Sequence, residues 1–160
     1  MIRMTRVDHR LLHGQVAFTW TKFTGANCIL IANDGVAKDS LRMAALRLAK
    51  PEGMKLVMKT VDDSIAAITS GVTDKYELFI ITESIDDVYR LAKGLEGTPR
   101  ALKEVNIGGV KPEEGKREVS MAVFVSDEEC DKIRELEAAG THCYAQMVPS
   151  NKAEDMLKLI

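Results

Sequence analysis

An acid, two imidazoles, a guanidinium and a glycine fall within ten residues, Val7 to Val16, in the order Asp8, His9, Arg10, His13, Gly14. An imidazole accepts a phosphoryl group directly when it is exposed, neutral and held so that one ring nitrogen faces the incoming phosphorus. Little else is required, because phosphoryl transfer runs through a loose transition state governed by positioning and charge stabilisation. His13 has the chemistry of the acceptor. Arg10, three residues earlier, offers a planar fork suited to phosphate, and Asp8 could orient either Arg10 or a ring nitrogen of His13. Gly14 leaves room for a phosphoryl group to approach the backbone, the N–H groups of Gly14, Gln15 and Val16 can donate to its oxygens, and Gln15 could add a side-chain donor. The same residues admit a plainer use: a histidine at a helix start can be a surface or capping residue, and Arg10 can simply pair with Asp8.

The elements on either side decide where this loop sits. An apolar run (Ile2, Met4, Val7) reads as a strand, and Val16, Trp20 and Phe23 mark the buried face of a helix from about Gln15 to Phe23 that stops at Gly25. A strand handing over to a helix places the loop at the carboxyl edge of a sheet, where open α/β folds bind ligands. The pattern then repeats. Cys28–Ala32, Met54–Met58, Leu78–Ile81 and Val105–Ile107 read as strands, the first and third apolar throughout, as in parallel sheets covered on both faces. Helices between them carry Leu41, Ala44, Ala45 and Leu48, then Ile65 and Ile68, then Val88, Leu91 and Leu95 behind a capping box at Ser84 and Asp87. Val119–Val125 is a sixth strand. Too few residues separate it from the fifth for a parallel crossover, so the two are antiparallel or not adjacent. Ser126 and Glu129 form a second capping box ahead of Cys130, Ile133 and Leu136; His142–Val148 is the last strand, and Asn151 with Glu154 starts a final helix to Ile160. The expected fold is a single doubly wound α/β domain over residues 1–160: one mostly parallel twisted sheet of about seven strands with helices on both faces.

Composition narrows the function. Hydrophobic residues at 46%, charged residues at 29% and a net charge of −2 describe a globular chain without the basic face that nucleic acid requires. Its longest apolar runs are strand-sized, and it opens without a signal-like apolar segment, which points to the cytoplasm. Cys28, Cys130 and Cys143 have no C-x-x-C spacing and read as reduced core residues, and His142 reads as structural. Asn33-Asp34, Thr82 and Gly108-Gly109 follow strands at the same sheet edge, as second-line site residues or as turns. Lys111, Lys116 and Arg117 could add positive potential for docking a phosphorylated partner.

The stretch Arg6-Val-Asp8-His9-Arg10-Leu-Leu-His13-Gly14-Gln15-Val16, with Trp20 beyond it, resembles the active-site loop of the IIB components of the mannose, fructose and sorbose family of the bacterial phosphotransferase system. Ile31-Ala-Asn33-Asp34-Gly-Val-Ala37, Val105-Asn106-Ile-Gly108-Gly109 and Gln146-Met-Val-Pro149 resemble signatures of the same family, so the likeness spans the chain. The resemblance implies a twisted, mostly parallel sheet and a sugar phosphotransferase subunit. A phosphorylated IIA protein or domain would pass its group to Nδ1 of His13, and His13 would pass it to a sugar brought by the membrane components IIC and IID. Arg10 would stabilise the transferred group and Asp8 would shape the loop. No metal or organic cofactor is implied, and the protein would work in the cytoplasm, attached peripherally to the inner membrane face through IIC and IID. His9 stands where many members have a second acid and is expected to have no obligatory catalytic part. Leu11 and Leu12 are either a IIA docking surface or core. Two other functions fit the fold: a regulatory phosphohistidine protein, and a nucleotide-binding module, though neither G-x-G-x-x-G nor a P-loop motif occurs.

Overall fold

The structure, a computed structural model, describes residues 1–160 apart from the side chains of Gln15 and Val16. In chain order the elements are β1 (Ile2–Asp8), α1 (Gly14–Thr24), β2 (Cys28–Ala32), α2 (Asp34–Ala37), α3 (Ser40–Leu48), β3 (Lys55–Lys59), α4 (Val61–Thr69), β4 (Leu78–Thr82) and α5 (Ile85–Leu95). There follow β5 (Glu104–Gly109), β6 (Arg117–Ser120), β7 (Val123–Val125), α6 (Asp127–Ala138), β8 (His142–Ala145), β9 (Glu154–Asp155) and a 3-10 turn at Met156–Lys158.

Apolar residues on both faces of β2 and β4 force these strands into the interior, and β1 lies among them. The sheet order is β3-β2-β4-β1-β5-β8-β9, parallel throughout except for β9, which returns antiparallel to β8. Alternation along each strand divides the core in two. Met4, Ile29, Ile31, Phe79 and Ile81 face Trp20 of α1 and Leu46 of α3. Val7, Leu30, Ile80, Val105 and Ile107 face the opposite way, toward Ile68, Leu91 and Ile133 of α4, α5 and α6. The doubly wound α/β architecture is as expected. β1 is therefore central, with α1 leaving it on one face while the helices that follow its neighbours β4 and β5 cover the other.

Several local expectations are corrected. Phe23 is 69% exposed, because α1 turns Ala17, Trp20 and Thr21 inward; Phe23 instead lies edge-on against the Trp20 ring, with centroids 5.7 Å apart. In α3 only Leu46 is buried, and Leu41 and Leu48 face solvent. Asn33-Asp34-Gly35 opens a one-turn helix, its Asn33 side chain accepting from the Val36 N–H. The span 119–125 is no single strand: Ala122 adopts a left-handed φ of 60°, and the chain folds back as a β6–β7 hairpin outside the main sheet. Hence β5 and β6 are not adjacent, one of the two arrangements the short connection allowed. The last main-sheet parallel strand ends at Ala145, and no helix follows Asn151. Its place is taken by β9 and the 3-10 turn, where the Asp155 side chain accepts from the Leu157 N–H at 3.0 Å and Met156 is buried. The Ser126–Glu129 capping box is complete, whereas at Ser84 only the serine half forms because Asp87 turns to Asn33. All three cysteines are free and buried, and burial pushes the Cys143 thiol up to about 12.

Candidate active site

Where β1 ends, the chain reverses tightly. The His9 N–H donates to the Gly109 carbonyl at 3.0 Å and the Leu11 N–H to the Asp8 carbonyl at 2.8 Å. Leu11 takes a φ of 57°, a left-handed conformation that a bulky residue adopts only when surroundings hold it there. They do so: Leu11 and Leu12 are both 3% exposed and belong to the core under α1. These leucines are therefore packed inward and offer no docking surface. Their burial draws the loop down, and His13 emerges as the N-cap of α1, extended at φ −149° and ψ 139° and making no side-chain cap bond.

Asp8 organises the loop from below. Its carboxylate is fully buried. One oxygen accepts the Arg10 N–H at 3.0 Å and the Arg10 Nε at 3.3 Å, and the other accepts Arg6 Nη2 at 3.0 Å. Asp8 thus orients Arg10 and not the His13 ring. Arg10 keeps 44% of its side chain exposed, and its Nη groups have no partner among the described residues. A half-exposed guanidinium anchored through Nε presents its remaining donors outward, as an arriving phosphate requires.

Arg6 is the residue that sequence reasoning left without a role. It is 1% exposed, and its Nη1 donates to Asn106 Oδ1 at 2.5 Å and to the Gln146 carbonyl at 3.1 Å. Its guanidinium carbon lies 5.6 Å from the centre of the Trp20 ring. Burial lowers its pKa from the ordinary arginine value and the Asp8 carboxylate opposes that, so a cation remains. Asn106 Nδ2 also donates to the Gln146 carbonyl at 3.0 Å, and Trp20 Nε1 donates to the Met147 carbonyl at 3.0 Å. The loop after β1, β5 and the segment after β8 are thereby tied together. Gly108 is not a turn but the floor of this arrangement: a Cβ there would lie 1.9 Å from the Arg6 guanidinium carbon, and one at Gly109 would lie 3.2 Å from Asp8 Oδ1. The available signal was Arg6 two residues before Asp8 on one strand, a spacing that puts opposite charges on the same face, where a buried charge is tolerated only when paired.

His13 is partly exposed, and its Nδ1 lies 3.0 Å from the Leu11 carbonyl oxygen. A carbonyl only accepts, so in this conformation Nδ1 carries a proton and donates it to Leu11. Nε2 is buried without a polar partner, as is Nδ1 of His9. Gly14 opens α1 at a φ of +37°, and a Cβ at this position would meet nothing within 4 Å, which agrees with an open approach to the backbone. Gln15 and Val16 continue the first turn of α1, where N–H groups lack intrahelical acceptors, but the expected Gln15 side-chain donor lies outside the described residues.

The second-line candidates are engaged elsewhere. The Asn33 side-chain amide donates to Glu83 and Asp87 at 3.0 and 2.9 Å, and Asp34 holds the Val61 N–H and Arg90. Thr82 is buried beside the Arg6 and Ser84 carbonyls. Lys111 and Lys116 pair with Glu113, Lys116 also with Glu129, and Arg117 with Asp127. Their positive potential is locally offset, which corrects the expectation of a basic docking loop.

The family model for the PTS system sorbose subfamily IIB component matches residues 2–160. The chain belongs to that family. This IIB chain is 31% identical to the N-acetylgalactosamine-specific phosphotransferase enzyme IIB component 2 of Escherichia coli K12, over 99% of this chain and 98% of that one. It is 30% identical to the mannose-specific EIIAB component of the same organism, over 100% of this chain and 48% of that protein. The crystal structure of the IIBSor domain of the sorbose permease from Klebsiella pneumoniae superposes with a TM-score of 0.91 at 28% identity, covering 99% of this chain and 94% of that one. IIB components are phosphotransferases of sugar uptake, and a phosphoryl-transfer role follows for this member. Among the described residues, no helix is long and apolar enough to cross a membrane.

Proposed function

We propose that residues 1–160 act as one IIB unit that accepts a phosphoryl group on His13 from a phosphohistidine of IIA and delivers it to a sugar entering through IIC and IID. The observation that carries this reading is the placement of His13 at the start of α1, with Arg10 anchored by Asp8 and its fork turned outward. The donor's N–P bond breaks as the His13 N–P bond forms, and in the second step a sugar hydroxyl attacks, the His13 N–P bond breaks and the hydroxyl proton is released. Arg10 and the free N–H groups at the start of α1 lie where charge develops on the phosphoryl oxygens. Transfer to Nδ1 requires the ring to leave the Leu11 carbonyl and lose the Nδ1 proton, so the resting contact keeps that nitrogen occupied until a donor docks. The EIIAB relative joins A and B components in one chain, in keeping with IIA as the direct donor. The working place is the cytoplasmic face of the membrane, against IIC and IID. No cofactor is needed, since donor, acceptor and charge stabilisation are all side chains or substrate.

The test is sugar phosphorylation by membrane vesicles carrying IIC and IID, supplied with phosphoenolpyruvate, the two general phosphotransferase proteins, IIA and this chain. Sugar phosphate forms with the wild-type chain and not with His13→Ala. Phosphorylation of the chain without any transfer to sugar would instead indicate a purely regulatory protein, and full activity of His13→Ala would overturn the site.

A further inference from the structure

Far from His13, at the opposite end of the sheet, three side chains from three elements converge: Glu137 from the end of α6, His142 from the start of β8 and Asp155 from β9. One ligand-type atom of each lies within 4.8 Å of the other two. His142 Nδ1 stands 3.2 Å from Glu137 Oε1, while two donor atoms of a tetrahedral zinc ion stand roughly 3.3 Å apart given ordinary Zn–N and Zn–O lengths. Neither carboxylate has a lysine or arginine partner within 4 Å among the described residues, so two negative groups share this place with only an imidazole between them.

We propose that Glu137, His142 and Asp155 form a binding site for a divalent transition-metal ion, zinc in the first place, with water in the fourth position. One imidazole and two carboxylates suit zinc over magnesium or calcium, which prefer oxygen alone. Each side chain has a local fixing contact. Glu137 Oε1 accepts the Cys143 N–H at 2.7 Å, Asp155 Oδ1 accepts the Leu157 N–H at 3.0 Å, and the His142 ring stacks on Tyr144 at 5.9 Å. The ion joins the antiparallel return strand β9 to α6 and β8. The segment between β8 and β9 supplies the carbonyls of Gln146 and Met147 that hold Arg6 and Trp20, so an ion here anchors the far end of the segment that braces the active-site loop.

Calorimetric titration of the EDTA-treated full chain with zinc chloride, and separately with magnesium chloride, tests the site. The expected result is one zinc per chain, no heat with magnesium, and affinity at least tenfold weaker in His142→Ala and in Asp155→Asn, with the unfolding midpoint raised by zinc in the wild type only. His142 is half exposed, so its replacement leaves the fold intact, and Asp155→Asn keeps an acceptor for the Leu157 N–H. Absence of zinc binding, or undiminished binding in either variant, as zinc held by His9 or His13 would give, overturns the proposal.

Discussion

At the scale of the residue, the proposed site rests on a division of labour between two arginines that flank one buried carboxylate. Arg6 is enclosed and Arg10 is half open, and the two should separate in experiment. Arg6→Met strands the Asp8 charge in the core and is expected to lower unfolding free energy by about 3–5 kcal/mol in urea titration. Arg10→Met leaves the buried pair in place, changes stability by no more than about 1 kcal/mol, and slows phosphoryl transfer from IIA by about a hundredfold. Equal stability losses in the two would contradict the assignment. The contact of His13 Nδ1 with the Leu11 carbonyl makes a spectroscopic prediction: long-range proton–nitrogen correlation spectra of the unphosphorylated chain show the Nδ1–H tautomer, and an Nε2–H tautomer would refute that geometry. Asp8, Arg10 and His13 stand out in the sequence because they lie within six residues of one another. The contacts of Arg6 do not, because its partners Asn106 and Gln146 are 100 and 140 residues away and only the parallel registers of β1 with β5 and of β5 with β8 bring them to it.

At the scale of the element, β5 does more than its short apolar pattern announced. Its last two residues read as a turn, yet they are strand, and glycine is there because Arg6 and Asp8 occupy the space above them. Gly108→Ala is expected to expel the Arg6 guanidinium and cost about 3 kcal/mol or more, while Gly109→Ala, with its nearest atom at 3.2 Å, costs less. Chemical denaturation of the two variants checks the order, and the reverse order would show that Arg6 has room to move. The complete capping box on α6 predicts a loss of about 1 kcal/mol for Ser126→Ala by the same measurement. Strands apolar on both faces were legible from composition, as were helices opened by a serine with an acid three residues later. The β6–β7 hairpin was not, because its reversal uses Ala122, a residue with no turn signature, at a left-handed φ. Nor was the terminal 3-10 turn, because Asn151 and Glu154 imitate a helix start while Met156 is drawn into the core and ends regular structure within a turn. On α1 and α3, helical spacing placed Phe23, Leu41 and Leu48 on the apolar stripe, but periodicity does not say how wide a stripe the sheet covers.

At the scale of the molecule, the central position of β1 gives the ten-residue motif its place as the proposed site. The loop after β1 lies between chains leaving to opposite faces, the place where open α/β sheets receive ligands. Solved structures named for sorbose and for N-acetylgalactosamine share this scaffold, so the fold alone does not single out a sugar. Stability should carry a pH signature from Asp87. Burial, first, and the neighbouring Asp34 and Glu83 charges raise its pKa above the ordinary 3.8, against hydrogen bonds from Asn33 and Ser84 that lower it. The folded form therefore holds this proton to higher pH than the unfolded form, and stability contributed by Asp87 falls as pH rises from about 4 through the raised value. Asp87→Asn, still able to accept from Asn33, is expected to flatten that part of the profile of urea midpoint against pH, and an unchanged slope would contradict the shift. The central claim is the identity of the phosphoryl acceptor. Its most direct test is to incubate the chain with phosphoenolpyruvate, the two general phosphotransferase proteins and IIA, then map the phosphate by gentle mass spectrometry. A single acid-labile phosphoryl group on His13, absent from His13→Ala, is the predicted result; no phosphate on a folded chain in the presence of active IIA, or phosphate on another residue, would contradict it.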